Sequence, residues 1–346
     1  MKKLLLIGPG SVHTYNFYRL IEGYFDRMRL ITDRIIPGYE DIDSIKGNFI
    51  IRNPVKAWKN IRIIRQQIQS YQPDIIHIQQ ANSVALLTLI ANRKTKIPVI
   101  LTAWGSDILE LSDKSFLLKK MVSYVLRNSD RFTADAVCVA DKMKVLYPAL
   151  AHEIVIANFG IDPFYNNTVK ENIIYSNRLH QDLYRIDAVI KAFDKFIKNE
   201  HREWRLIIAG EDRETEKLKK LTTGLKLEQF VEFIGWADKE LNNEMYNRAK
   251  IFVSIPKSDA TAISLLEAMH AGCIPVVTDL PASHEWIKDG VNGVIVKSLE
   301  ENFFERALRL DHEQVKNINR KIIEEKGLKS VNRQKFLDLY HKMLED

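Results

Sequence analysis

Short apolar runs rich in β-branched residues recur along this chain, separated by stretches whose apolar residues have helical spacing. The first half contains KLLLIG, DIIHIQ, PVILTAW, AVCVA and EIVIAN, and the second contains NIIYSN, WRLIIAG, VEFIGW, IFVSIP, IPVVTD and GVIVK. Runs that are apolar throughout indicate strands buried on both faces, which are typical of parallel sheets. The alternation predicts an α/β fold with a parallel sheet in each half.

Length and a polar stretch near the middle of the chain predict two domains. The 346 residues are roughly twice the typical domain length of about 150 residues. The stretch NFGIDPFYNNTVKEN lies between the two sets of runs and carries Gly160, Pro163 and paired asparagines, which places the hinge around residues 160–171. The expected domains are residues 1–163 and 170–328, with a cleft between them.

Composition indicates an ordinary globular protein, since 46% of the residues are hydrophobic and 28% are charged. The apolar run after the first lysines is too short for a secretory signal, and nothing approaches the roughly 18 apolar residues of a membrane-spanning helix. Cys138 and Cys273 both lie in apolar segments, which predicts buried thiols in a reducing compartment. The expected location is the cytoplasm, with peripheral contact to the cytoplasmic face of a membrane left open.

The basic charge is concentrated in the first half of the chain. Residues 1–160 carry 22 Lys and Arg against 14 Asp and Glu, whereas the remainder carries 29 against 31. Such a half suits nucleic acid, an anionic membrane or an anionic substrate. The segment KSFLLKKMVSYVLRNSDRF has the pattern of an amphipathic helix, either resting on an anionic membrane or forming an ordinary protein surface. Nucleic acid is disfavoured because no aromatic residues interleave with a basic groove pattern.

Two carboxylates and two arginines stand out in the second half. Asp259 follows a buried strand, and Glu267 lies in a helical pattern that is expected to begin near Thr261. The N-terminus of that helix would suit a diphosphate. Apolar neighbours should bury Glu267, so its carboxylate needs hydrogen-bond donors, either ligand hydroxyls or a salt bridge to a nearby cation. Arg178 and Arg185 follow the first strand of this half and could neutralise phosphate oxygens.

In the first half, the segment Gly8-Pro9-Gly10-Ser11 follows the first strand, where a helix N-terminus could meet an anion or the chain could simply turn. Trp104-Gly105-Ser106-Asp107 follows a later strand, and helix capping is the commoner role for Asp107. The lone histidines His77 and His270 are more typical of core or surface positions than of catalysts. No metal-binding motif is present.

Together these segments resemble the retaining glycosyltransferases of family four, which have the GT-B fold of two facing Rossmann-like domains. The strongest part is SIPKSDATAISLLEAMHAGCIPVVTDLPASHEWIKDGVNGVIV, which looks like that family's donor-binding signature. PDIIHIQ, TAWGSD, NFGID, YSNRL and LIIAGED also match, so the resemblance runs through most of the chain. It implies a final helix, from about residue 331 to 346, that packs back on the first domain.

The resemblance implies a role for each matching residue in the donor site. Glu267 would hold the donor ribose hydroxyls, and Arg178 and Arg185 would bind the diphosphate in place of a metal. Asp259 would contact the transferred sugar, and Gly10 would let its loop approach the phosphates. The turn into the helix, Thr261, Ala262 and Ile263, would complete the donor site.

On the other side of the reaction, the resemblance assigns Asp107 to the catalytic residues and places His13, Trp104 and Ser106 on the acceptor side. The implied activity is metal-independent transfer of a hexosyl or N-acetylhexosaminyl group, with retention, from a nucleoside diphosphate sugar. The resemblance makes uridine the default nucleoside of the donor, which would then be a UDP-sugar. The acceptor would be a glycan or lipid-linked glycan, as in cell-surface polysaccharide synthesis.

The chain departs from the family's pattern at four positions. Asp259 replaces the usual glutamate, and Ala260-Thr261-Ala262 replaces a glycine-rich stretch. Trp104 stands where a histidine is frequent, and Tyr184-Arg185 replaces a lysine-glycine pair. Two alternatives stay open. One is a nucleotide-sugar epimerase or hydrolase on the same fold, and the other, suggested by Asp259 and Trp104, is a noncatalytic nucleotide-sugar-binding protein.

Overall fold

The computed structural model describes residues 1–150, 154–164, 168–199 and 201–345. The chain forms two compact units, and unit 1 comprises Met1–Phe159 with Lys329–Asp346. Unit 2 comprises Gly160–Leu328. Residues 165–167 of the predicted hinge lie outside the described part of the chain.

Unit 1 is built on a parallel sheet whose strands lie in the order β3-β2-β1-β4-β5-β6-β7. The strands are β1 Lys3–Ile7, β2 Arg27–Thr32, β3 Ser44–Lys46, β4 Ile75–Gln79, β5 Val99–Ala103, β6 Arg131–Ala134 and β7 Ile154–Ile156. Its helices are α1 Val12–Ile21, α2 Pro54–Tyr71, α3 Ser83–Asn92, α4 Ser106–Leu109, α5 Leu111–Lys114, α6 Phe116–Arg127, α7 Val137–Leu146 and the last helix of the chain, α15 Lys329–Glu345.

Unit 2 contains a second parallel sheet, with strand order β10-β9-β8-β11-β12-β13. Its strands are β8 Glu171–Ser176, β9 Arg205–Ala209, β10 Val231–Gly235, β11 Ala249–Ser254, β12 Ile274–Thr278 and β13 Val294–Val296. Its helices are α8 Ile186–Lys198, α9 Thr215–Gly224, α10 Lys239–Arg248, α11 Ile263–His270, α12 Pro281–His284, α13 Phe303–Leu308 and α14 His312–Ile322, with a 3₁₀ turn at Asp182–Tyr184 and a π turn at Ile323–Gly327.

The apolar runs form the strands because helices cover both faces of each sheet. Every residue of β4 and β5 is buried, including the polar His77, Gln79 and Thr102, as the predominantly apolar sequences of these strands predict. Helix α8 buries Val189, Ile190, Phe193 and Ile197 along one face and carries its lysines elsewhere. The predicted α/β fold with a parallel sheet in each half is confirmed.

One predicted strand is wrong. The run AVCVA forms the start of α7 and not a strand, and Cys138 in its first turn is consequently half-buried. The neighbouring strand is β6, at Arg131–Ala134. A short apolar run has the same pattern in a buried strand and in one face of a helix, so periodicity alone cannot separate the two.

Helix α15 returns to unit 1, and a buried hydrogen bond joins it to a histidine of the sheet. The Tyr340 hydroxyl lies 2.5 Å from Nδ1 of His77 on β4, and the other ring nitrogen lies 2.6 Å from Oγ1 of Thr102. Burial lowers the pKa of His77 to about 3, so the imidazole is neutral. His77 is therefore a satisfied core histidine, as its isolated position in the strand pattern predicts.

None of the helices in the described residues has both the length and the apolar character needed to cross a membrane.

Candidate functional site

The candidate residues of unit 2 gather where the strand order of its sheet reverses. Strands β8 and β11 are hydrogen-bonded neighbours, but the chain leaves β8 toward β9 on one side and leaves β11 toward β12 on the other. Parallel α/β sheets bind ligands beyond the carboxyl ends of strands at such a reversal. Arg178 follows β8 there, and Asp259 follows β11.

Arg178 joins the loop after β11 to the first turn of α11. Its Nη2 donates to the Asp259 carboxylate at 2.8 Å, and its Nη1 donates to the Ser264 hydroxyl at 3.1 Å. Its guanidinium also lies over the Tyr184 ring, 4.4 Å from the centroid. Burial raises the pKa of Asp259, and the charge of Arg178 opposes that rise. The sequence identified both residues without indicating that they form an ion pair with each other.

Arg185 occupies backbone geometry that favours glycine. Its φ is 52°, in the left-handed region, and its Nη2 donates to the Pro256 carbonyl at 2.6 Å. Its buried Nε has no hydrogen-bond partner within the described residues. Arg185 thus takes the glycine position of the lysine-glycine pair, and Tyr184 takes the lysine position. The Nε–H group of Arg185 therefore remains available as a hydrogen-bond donor close to the loop that follows β11.

Helix α11 begins at Ile263, two residues later than predicted, and Ala262 is its N-cap. Alanine has no side-chain oxygen to accept from the first N–H groups of the helix, which have no partner within the helix itself. Such a helix start remains available to an anion. Thr261 immediately precedes the N-cap.

Glu267 lies in the second turn of α11 and is half-buried. Burial raises its pKa, and a hydrogen bond from the Tyr246 hydroxyl partly offsets that rise. Asn177 donates to the Tyr246 oxygen at 2.7 Å and to Asn242 Oδ1 at 2.7 Å. Within the described residues Glu267 forms no ion pair, although the charge of Lys239 also lowers its pKa. The carboxylate therefore retains acceptor capacity.

The candidate residues of unit 1 gather at the corresponding reversal, between β1 and β4. Gly10 follows β1, and its N–H donates to Asp33 Oδ1 at 2.6 Å. A Cβ on Gly10 would lie 2.5 Å from the carbonyl oxygen of Arg34. The close approach of the Arg34 backbone therefore requires glycine at this position, whatever ligand the loop meets.

Three aromatic rings stack beside this loop. The Phe159 ring lies 4.2 Å from Trp104 at an interplanar angle of 7° and 5.4 Å from His13 at 22°. The Trp104 indole donates to Gln79 Oε1 at 2.6 Å, while Nε2 of that buried amide has no partner within the described residues. His13 is exposed, and Trp104 is half-buried. Phe159 and Gln79 were not identified from the sequence.

Asp107 does not cap a helix. Gly105 is the N-cap of α4, exposed Ser106 follows it, and the buried Asp107 carboxylate accepts from Ala81 N at 2.7 Å and Trp104 N at 3.1 Å. The capping prediction was wrong because the short helix turns the side chain back toward β4 and β5. Burial raises the pKa of Asp107 to about 6. The geometry gives Asp107 the role of holding two loops together.

We expect Asp107→Asn to change how stability depends on pH. A folded-state pKa of about 6 lies above the ordinary value of about 3.9. The Asp107 carboxyl therefore contributes most to the free energy of unfolding below about pH 4, and this contribution is lost as pH rises through 6. The free energy of unfolding of the wild type, relative to the variant, should fall by roughly 3 kcal/mol between about pH 4 and 7. Urea denaturation across that range measures the difference.

Asp113→Asn is the matched control, because Lys142 holds the pKa of that exposed carboxyl below its ordinary value. The Asp113 carboxylate contributes to the free energy of unfolding above its ordinary pKa, and this contribution is lost as pH falls. The free energy of unfolding of the wild type, relative to Asp113→Asn, should therefore not decline with rising pH. If the free energy of unfolding of the wild type, relative to Asp107→Asn, stayed constant or grew with pH, burial would not be the main influence on the pKa of Asp107.

Two units, each with a parallel sheet and a candidate site at its strand-order reversal, match the architecture of GT-B enzymes. Sequence profiles of two families match, one in each unit: "Glycosyl transferase 4-like" over residues 4–136 and "Glycosyl transferases group 1" over residues 162–327. The chain belongs to glycosyltransferase family four, and it is a glycosyltransferase. The family and fold indicated by the sequence motifs are thus confirmed.

Known proteins resemble the chain at low identity. The alpha-monoglucosyldiacylglycerol synthase of Streptococcus pneumoniae is 24% identical over 292 residues, which cover 76% of this chain but only 66% of that protein. A glycosyltransferase from Rickettsia africae superposes with a TM-score of 0.83 at 17% identity, covering 100% of this chain and 99% of the other. HepE of Anabaena, solved with UDP, superposes with a TM-score of 0.82 at 12% identity, covering 99% of this chain and 100% of the other. Both solved structures show the shared fold.

Proposed function

We propose that this protein transfers a sugar, with retention, from a UDP-sugar to a glycan or lipid-linked glycan acceptor. The observation that carries the proposal is the cluster at the ends of β8 and β11. There a cation, Arg178, bridges Asp259 to the start of α11, and a half-buried carboxylate, Glu267, forms no ion pair among the described residues. A cation, a helix N-terminus and an unpaired carboxylate suit the phosphate and ribose of a nucleotide.

Glu267 is proposed to bind the donor ribose. Its carboxylate has about four lone-pair sites, of which the Tyr246 hydroxyl takes one. Two vicinal ribose hydroxyls would supply two more donors and compensate the ionised carboxylate for its burial. The Tyr246 hydrogen bond also holds Glu267 in place, because Asn177 fixes the phenol oxygen from the other side.

Arg178 is proposed to stabilise the diphosphate, with Arg185 and the start of α11 assisting, so that no metal is required. The guanidinium fork has five N–H donors, and two of them are used by Asp259 and Ser264. The remaining edge can bind phosphate oxygens bidentately while Asp259 keeps the fork oriented. A cation fixed before the reaction stabilises the charge that develops on the leaving diphosphate.

In this proposal the chain positions the reactants and supplies no base of its own for the acceptor hydroxyl. The leaving diphosphate accepts that proton on the same face from which it departs, so the sugar keeps its anomeric configuration. Asp259, oriented by Arg178, contacts the transferred sugar. Correct positioning of two reactants lowers the barrier by removing translational and rotational freedom before the reaction.

Two comparisons support the choice of donor and acceptor. HepE, which shares the fold, has been solved with UDP and with UDP-glucose, and this supports a donor whose nucleoside is uridine. The name of the S. pneumoniae relative denotes a glucosylated diacylglycerol as its product, and this supports an acceptor that carries lipid. In unit 1, the ring stack of His13, Phe159 and Trp104 offers apolar faces for an acceptor sugar.

A thermal-shift panel of UDP-, GDP- and ADP-sugars tests the donor site. At a hundredfold excess over its dissociation constant, a ligand of the native state adds about 2.7 kcal/mol to the free energy of unfolding. We expect UDP-sugars to raise the unfolding temperature and the other two groups to raise it less. A response confined to GDP- or ADP-sugars would change the base assigned, whereas no response to any donor would contradict the assignment of the site.

A further inference from the structure

Three neighbouring helices of unit 1 form a layer that carries no acidic residue. Helix α3 contacts both α2 and α6, and the sequences of all three helices lack Asp and Glu. The basic residues of the layer are Lys56, Lys59, Arg62, Arg65, Lys119, Lys120 and Arg127. A surface helix ordinarily mixes both signs of charge, so this layer presents an unbalanced positive face.

Large apolar side chains are exposed beside these cations, at the beginning of α2 and of α6. Val55 and Trp58 in α2 are 76% and 63% exposed, and Phe116 and Leu117 in α6 are 70% and 76% exposed. Arg62 lies over the Trp58 ring, and Lys120 lies over the Phe116 ring. We call the first turns of α2 and α6, with these side chains and their lysines, the α2–α6 surface.

Both helix starts lie at the carboxyl edge of the unit 1 sheet. Helix α2 ends just before β4 and α6 ends just before β6, so each runs back along the sheet from its carboxyl edge to its amino edge. The 18 residues of α2 span about 27 Å, longer than the strand beside it, so its first turns project past that edge. The candidate acceptor residues His13 and Trp104 follow strands at the same edge.

The lysines of this surface occupy positions that oppose folding of their own helices. Neither α2 nor α6 has an acidic residue in its first turn, where the helix dipole favours negative charge and disfavours Lys56 and Lys119. Within the described residues, Lys56, Lys59, Lys119 and Lys120 form no ion pair. An anionic partner at this edge would convert the unfavourable charges into favourable ones.

We propose that the α2–α6 surface docks the protein on an anionic lipid bilayer. Trp58, Phe116 and Leu117 enter the boundary between headgroups and acyl chains, and the surrounding lysines and arginines pair with lipid phosphates. A bilayer fits because the surface combines protruding apolar side chains with unpaired cations, and because it shares an edge with the acceptor candidates. This docking does not depend on the donor site, so the two proposals can fail separately.

Sedimentation of the protein with lipid vesicles tests the docking. We expect binding to phosphatidylcholine vesicles that contain phosphatidylglycerol, little binding to phosphatidylcholine alone, and weakening with added salt. The combined variant Trp58→Ser, Phe116→Ser, Leu117→Ser should bind the anionic vesicles at least about tenfold more weakly, because three apolar side chains no longer enter the bilayer. Lys119→Gln with Lys120→Gln should weaken binding by about tenfold and flatten the salt dependence.

Trp236→Ser is the matched control, since Trp236 is 71% exposed but lies in unit 2. It should bind vesicles as the wild type does, all variants should retain the wild-type circular dichroism, and none should unfold at a lower temperature than the wild type. Unchanged vesicle binding by the combined variant would overturn the proposal, as would equal binding to vesicles with and without phosphatidylglycerol. A vesicle-free dimer that the combined variant disrupts would instead identify the surface as an interface between two copies.

Discussion

Glu267→Ala is expected to abolish the thermal stabilisation that a nucleotide-sugar gives the wild type. The carboxylate is half-buried and, among the described residues, has the Tyr246 hydrogen bond and the charge of Lys239 but no ion pair, so ribose hydroxyls would supply the donors it still lacks. Each hydrogen bond to a charged group contributes about 1.5–3 kcal/mol. Losing two of them should weaken nucleotide binding by at least about a hundredfold. Calorimetric titration with UDP, together with the thermal shift, measures the loss.

Glu305→Ala provides the matched control, because Glu305 has a similarly shielded carboxylate in unit 2, 25% exposed and paired with His201. It should keep the wild-type response to nucleotide. Glu267→Gln should retain part of the response, since its amide oxygen can still accept from one hydroxyl. A wild-type response from Glu267→Ala would remove Glu267 from the donor site.

Arg178→Ala is expected to lower kcat by about 10²–10³, the usual effect of removing one fixed donor to developing charge. The kcat of Arg178→Lys should lie between those of the wild type and Arg178→Ala. An ammonium keeps the charge but lacks the two-pronged guanidinium that binds both Asp259 and Ser264. Steady-state kinetics with saturating donor measures the effect. Arg248→Ala is the matched control, since that arginine pairs with Glu171 at the opposite edge of the same sheet.

A second variant separates phosphate binding from a purely structural role for the ion pair. Removing Arg178 leaves the Asp259 carboxylate half-buried without its cation, which destabilises the loop by itself. Arg178→Ala combined with Asp259→Asn removes that uncompensated charge. Affinity for UDP is the readout, because UDP lacks the sugar that Asp259 is proposed to contact. If Arg178 served only to neutralise Asp259, the double variant would recover stability and UDP affinity together. We expect recovery of stability without recovery of UDP affinity.

Most of the fold could be predicted because buried parallel strands give unbroken apolar runs. Strand β2 was missed because its first half is partly exposed and carries arginines, and β3 is only three residues long. AVCVA was assigned to the wrong element because its helix buries only one face. These errors occur where tertiary burial, and not the local pattern, determines the secondary structure.

The site was predictable where residues follow strands at a sheet edge. Arg178 and Asp259 could be placed near each other on that basis, and Glu267 could be predicted to need donors. Tyr246 gave no sequence signal, because its contact with Glu267 depends on how α10 packs against α11. Phe159 was missed for a similar reason: its stacking with Trp104 and His13 joins three distant segments of the chain.

Product analysis of a reaction with UDP-sugar and a panel of glycan and lipid-linked glycan acceptors tests the central claim most directly. Chromatography and NMR would follow the nucleotide, the sugar and the anomeric configuration of the new bond. We predict that UDP is released in step with a glycosylated acceptor whose new linkage keeps the configuration of the donor. Free monosaccharide or an epimerised donor formed without acceptor would contradict the claim, as would donor binding with no turnover on any acceptor.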